Sequence, residues 1–204
     1  MRRSLPNSCL LAAALLAACA GPPPPRASGE DWQRCLARLD RAGISYVPAA
    51  TPAAADACAI EAPVRISAAG IAWNQPGVVS CGFALQLDAF AREDVVPLAE
   101  AQFGQGVRRL RHLGTYACRR ENGSGRWSEH AAGRAIDLAG IELADGTLIS
   151  VERDWRGAGA KSRFLHALAR RACGRFSVVL TPDSDRDHRD HIHLDSGPWK
   201  LCGA

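Results

Sequence analysis

Six histidines occur in this chain of 204 residues, and four of them fall in two short stretches. The first is Ser128-Glu129-His130-Ala131-Ala132-Gly133-Arg134-Ala135-Ile136-Asp137. The second is His188-Arg189-Asp190-His191-Ile192-His193-Leu194-Asp195. Imidazole and carboxylate together suit a borderline cation such as zinc. Alternate residues of a strand share a face, so His191 and His193 would present both rings to one side. Asp137 stands in the alternating run Ala135, Asp137, Ala139, on a face otherwise made of small side chains. A lone carboxylate there needs a partner, and either a metal ion or a buried Arg would serve. Three protein ligands with a fourth position open is the catalytic zinc pattern, whereas a structural site would be closed.

Such groups need a framework, and the pattern of the chain predicts one. A helix is expected over 30–43, with Trp32, Cys35, Leu36 and Leu39 on one face and Gly43 as its stop. A second should run from about Gly82 to Glu93, a short third after Pro97, and a fourth over Arg163 to Ala172, capped by Gly174. Strands are expected at 63–67, 107–113, 134–143, 147–151, 177–180 and 191–194. Asp145-Gly146 is a hairpin signal between two of them. Helices first and between, with strands joined by hairpins, define an α+β class with a mostly antiparallel β-sheet flanked by helices. Segments 70–80, 120–127 and 152–162 read as loops. In Arg108-Arg109-Leu110-Arg111 the charges read as a solvated strand face. His112 and His166 read as surface or satisfied residues, Glu129 as pointing away from the ligands, and Trp127 and Trp155 as core.

Composition bounds the partners. The chain is 47% hydrophobic and 23% charged with a net charge of +4, too small and too dispersed an excess for a nucleic-acid binder. Met1-Arg2-Arg3 followed by the short apolar stretch Leu10 to Ala18 reads as a signal peptide over 1–18. Leu16-Ala17-Ala18-Cys19 resembles a lipobox, which implies a lipid on Cys19. Residues 19–29 then form a Pro-rich tether, and 30–204 the domain. The expected location is the periplasmic face of the outer membrane, with the lipid as the only membrane contact and the protein a monomer. Cys35, Cys58, Cys81, Cys118, Cys173 and Cys202 remain, an even set that suits an oxidising compartment. Three disulfides are expected, taken as Cys35–Cys58, Cys81–Cys202 and Cys118–Cys173. No CxxC pair occurs among them, which argues against a Cys-ligated zinc.

The pattern Ser-x-His-x-x-Gly-x-Ala-x-Asp with a distal His-x-His resembles zinc peptidases that cut D-amino-acid bonds in bacterial cell walls. These are the D-Ala-D-Ala carboxypeptidase, murein endopeptidase and Hedgehog-like group. More closely, the chain from about Cys35 to Cys202 resembles the bacterial extensin-like C-terminal family. The marks are Gly114-Thr115-Tyr116-Ala117-Cys118-Arg119, Ser128-Glu129-His130, Ala135-Ile136-Asp137 and Pro182-Asp183 leading to Asp190-His191-Ile192-His193-Leu194-Asp195. The resemblance implies a disulfide-stapled Hedgehog/D-Ala-D-Ala-peptidase-like fold. It also implies one zinc ion per chain on His130, Asp137 and His193, with Arg119 and Ser128 facing the substrate.

Two residues compete for the general base. Many relatives carry an acid three residues before the last ligand, here Asp190. The murein-endopeptidase branch instead has His at the places of His191 and His188. Asp190 is placed slightly ahead of His191, and His188 is assigned to substrate binding. The implied function is a zinc-dependent peptidase hydrolysing D-amino-acid peptide bonds of peptidoglycan, as endopeptidase or carboxypeptidase. A zinc-containing module that binds peptidoglycan or a partner without catalysis is the alternative.

Overall fold

The computed structural model describes residues 29–50 and 58–204. The expected signal peptide, Cys19 and almost all of the Pro-rich tether lie outside the described residues. Among those described, no helix is long and apolar enough to cross a membrane.

Apolar residues at helical spacing build the first layer. Helix α1 (Gly29–Ala42) buries Leu36 and Leu39 and ends at Gly43, whose φ of +70° suits a residue without Cβ. Helix α2 (Cys81–Phe90) starts on Ser80, whose Oγ accepts from the Phe83 N–H. It runs through a wide π-type turn at Ala91–Val95 directly into α3 (Val96–Phe103). The sequence predicted a break at Pro97. The widened turn instead puts Pro97 in the first turn of α3, where its missing N–H costs little. A short α4 (Val151–Asp154) and a longer α5 (Ala160–Ala172) complete the helices.

Among the described residues, nine strands form one mixed sheet. They are β1 (Tyr46–Pro48), β2 (Pro63–Ala69), β3 (Ile71–Ser80), β4 (Val107–His112), β5 (Ala135–Leu143), β6 (Leu148–Ser150), β7 (Val178–Leu180), β8 (Ile192–Asp195) and β9 (Leu201–Cys202). Their order is β1-β2-β3-β4-β5-β8-β7-β9, with β6 pairing β5. The β3–β4 and β7–β9 pairings are parallel and all the others antiparallel, so the sheet is mostly antiparallel as expected. The class is α+β. One apolar cluster, running from Leu39 and Val64 through Phe90 and Ile136 to Leu165 and Leu194, joins helices to sheet.

The segment 71–80, expected as a loop, is a strand. Asn74-Gln75-Pro76-Gly77 hid it, because Pro cannot donate to a ladder. Pro76 is tolerated because β4 pairs β3 only at Ala72 and Trp73. Asn74 and Gln75 use their side chains on the His112 backbone instead.

The expected cysteine pairing is corrected. The bridges are Cys35–Cys81, Cys58–Cys118 and Cys173–Cys202, with Cα separations of 6.2, 5.4 and 5.5 Å. Tertiary packing decides this. Helix α1 lies on α2, which begins at Cys81. Strand β9 returns Cys202 toward the end of α5, where Cys173 sits. Sequence spacing carries neither fact.

Candidate metal centre

Strand β5 is the axis of the site. It pairs with β4, β6 and β8, and its register with β8 sets Asp137 opposite His193. His130 arrives on a 3-10 turn, Glu129–Ala132, that Ser128 caps by accepting the His130 N–H on its Oγ at 3.3 Å. The turn ends at Gly133, with φ of +63°. A Cβ there would lie 2.8 Å from Ile60 Cγ2 and 3.0 Å from the Ser80 N, so only Gly fits. The spacing from His130 to Asp137 is therefore one capped turn, one left-handed Gly and one strand entry.

These elements bring three acceptor atoms together. His130 Nε2 lies 3.1 Å from Asp137 Oδ1 and 3.2 Å from His193 Nδ1, and His193 Nδ1 is 3.0 Å from Asp137 Oδ1. Both outer ring nitrogens are engaged. His130 Nδ1 donates to the Thr115 carbonyl at 2.8 Å, and His193 Nε2 to Asp195 Oδ2 at 3.0 Å. Two imidazole nitrogens and a carboxylate oxygen thus face one another at 2–15% side-chain or residue exposure. Such a triangle repels itself unless a cation or a proton fills it. Donors about 2.0–2.2 Å from a tetrahedral ion stand about 3.3–3.5 Å apart, close to the spacing found. The donor set and its outer partners fit zinc. It is the group of ligand type found among the described residues.

The electrostatics agree with the geometry. Burial works against charge on His193, but Asp137 and Asp195 on either side outweigh it and push its pKa up to about 9. Burial likewise works against the Asp137 carboxylate, and its bonds to His130 and His193 outweigh that, holding it far below the usual carboxylate range.

Beside the triangle opens a cleft of about 590 Å³. Arg119, Ser128, His188 and His191 line it together with the three acceptors. His191 Nε2 stands 3.4 Å from Asp137 Oδ1, while its Nδ1 bonds Asp190 Oδ1 at 2.8 Å. Asp190 therefore sits behind His191 and lines a separate pocket. His188 is held through Nδ1 by Asp185 at 2.7 Å, with its ring 5.1 Å from that of His191. Burial lowers its pKa. Arg119 follows the bridged Cys118, donates Nη1 to the Arg120 carbonyl at 3.4 Å and forms no ion pair among the described residues. The hairpin around 120–127 forms one wall, as its expected loop character allows. There Arg126 bonds Glu121 and stacks over Trp199, and Asn122 reaches Asp187 at 2.9 Å.

Some expectations land elsewhere. Trp155 is buried, donating Nε1–H to Asp183, but Trp127 is at the surface under the Arg120 guanidinium. His112 is buried with Nε2 on the Gln75 carbonyl, and His166 faces the Trp155 carbonyl. Glu129 binds Arg134 rather than the triangle, though it does line the cleft. The sequence reading gave no role to Asp195, Thr115 or Asp185. Asp195 was findable, since it follows His193 by two on one strand and so shares its face. The carbonyl of Thr115 carries no side-chain signal.

An α+β domain with a buried His–Asp–His triangle on the floor of an open cleft is the class defined by these features. The family model of the extensin-like protein C-terminus matches residues 33–203, and the chain belongs to that family. No curated protein matches the chain. No solved structure matches it either.

Proposed function

We propose that this protein is a zinc-dependent peptidase acting on the peptide stems of peptidoglycan, built on a Hedgehog/D-Ala-D-Ala-peptidase-like scaffold. The observation that carries the reading is the convergence of His130 Nε2, Asp137 Oδ1 and His193 Nδ1 within 3.0–3.2 Å, with a further imidazole on the same cleft. His130, Asp137 and His193 would hold the ion. A zinc ion held there supplies Lewis acidity and lowers the pKa of water toward neutrality.

The rest of the work falls to the chain. Asp190 accepts the Nδ1–H of His191, which leaves Nε2 as the proton-accepting nitrogen facing the cleft. We place the general base on His191, with Asp190 as its positioning residue. His191 takes a proton at Nε2 and returns it to the leaving amine. Arg119, whose guanidinium forms no ion pair among the described residues, faces the developing oxyanion, and His188, braced by Asp185, contacts the peptide on the cleft wall. Ser128 has a structural duty as the cap that sets His130. The Leu16-Ala17-Ala18-Cys19 segment supports export and lipid anchoring at the outer membrane.

The test is incubation of zinc-loaded protein with purified muropeptides and mass analysis of the products. Hydrolysis lost on His191→Ala, with zinc content retained, is expected. A loaded protein that binds muropeptides but releases no product would assign it to the non-catalytic binding class instead.

A further inference from the structure

A second pocket, of about 340 Å³, opens beyond the Asp190–His191 pair. It lies over Ala139, two residues along β5 from Asp137 and so on the same face of the strand. Asp190 forms part of its wall while bonding the imidazole that lines the first cleft. The two spaces are thus neighbours on the sheet, separated by one side-chain pair.

Its chemistry is distinct. Arg111 from β4 and Arg153 from α4 line it, both exposed and both outside every ion pair of the described residues. Arg108 and Arg109, three and two positions before Arg111, are by contrast held by Glu142. Glu152 also reaches the pocket, and Asn74 lies in its wall with its amide already bonded to the His112 backbone. Two guanidiniums outside every ion pair of the described residues, beside Glu152 and the His191-bonded Asp190, suit a ligand carrying a carboxylate and an amino group.

We propose that this pocket is a subsite for the second arm of a cross-linked peptide, its carboxylate held by Arg111 and Arg153. The enzyme then takes a peptide extending to both sides of the metal centre and acts as an endopeptidase. This rests on the peptidase reading above. The cleft supplies the first arm's binding surface, and the Arg pair supplies selectivity for a cross-linked substrate over a chain end.

The experiment compares kcat/KM of the full domain on a cross-linked muropeptide dimer and on an uncross-linked pentapeptide monomer. Wild type is set against Arg111→Ala/Arg153→Ala. Direct binding of the dimer is measured in parallel in a His191→Ala background, with and without the two Arg substitutions. The expected result is a loss of about tenfold or more on the dimer, in rate and in binding, with the monomer changed less than twofold. Equal losses on both substrates, no loss on either, or a wild type that releases only terminal residues would overturn the subsite. Dimer binding that depends on the two Arg without any hydrolysis keeps the subsite and removes the peptidase reading. Neither binding nor hydrolysis removes both.

Discussion

Zinc binding should release about one proton per ion at pH 7, and the reason is visible in His193. Without metal its ring carries charge between Asp137 and Asp195, with a pKa near 9 rather than 6.5. At pH 7 it is therefore almost fully protonated, and its Nδ1 must lose that proton to become a ligand. Asp137 is held far below the carboxylate range and releases nothing. The dissociation constant should accordingly tighten about tenfold from pH 7 to 8 and less steeply as pH nears 9, about 50-fold overall. Calorimetry in buffers of different ionisation enthalpy counts the protons directly. The same charge sets stability. A folded pKa raised above 6.5 stabilises the metal-free protein fully below that pH, and the effect fades as pH rises through about 9. The gap corresponds to about 3 kcal/mol at most. Metal-free protein should thus unfold at lower denaturant at pH 9 than at pH 6.5. No proton release at pH 7, with affinity flat across the range, would refute the placement of that proton.

Asp195→Asn, which keeps size but removes the charge behind His193, should cut the proton count and weaken zinc by about 10–100-fold, read by the same titration. Gly133→Ala forces a Cβ to within 2.8 Å of Ile60 and strains φ, so thermal unfolding should show a loss of more than about 1 kcal/mol together with reduced zinc content. Peptide mapping of unreduced protein should recover Cys35–Cys81, Cys58–Cys118 and Cys173–Cys202, each worth about 2–4 kcal/mol, and any other pairing would contradict the fold. Cys19→Ser should move the protein from the membrane to the soluble fraction, and unchanged fractionation would dismiss the lipid.

The triangle was readable because its members sit in local patterns. A capped His turn, a left-handed Gly and an alternating strand keep their spacing whatever the rest of the chain does. Strands β5 and β8 and helices α1 and α5 were legible for the same reason, through sustained periodicity. What escaped depends on distant contacts. Strand β3 was masked by Pro76, whose acceptance depends on where β4 stops pairing. The cysteine pairs follow from which helix covers which, a fact with no signature along the chain. The sequence pattern placed Asp190 slightly ahead of His191, because spacing alone does not say which of two adjacent residues faces the cleft. Only the bond between them orders one behind the other.

The Cys173–Cys202 bridge has a consequence for how the protein would answer a reducing environment. Cys202 immediately follows Lys200 and Leu201, which with Trp199 form the outer wall of the cleft. The triangle does not lean on that bridge, since β5 and β8 hold His193 against Asp137 by their own ladder. Breaking the bridge would leave the two-residue strand β9 held by its short pairing with β7, by the Leu201 and Gly203 N–H groups on the Ser177 and Val179 carbonyls, and by Thr181 Oγ1 on the Gly203 carbonyl. A thiol-rich medium would then leave the His130–Asp137–His193 triangle assembled while the wall of the cleft beside it loosens. Oxidation state would thus bear on the shape of the cleft's outer wall and leave the geometry of the triangle alone.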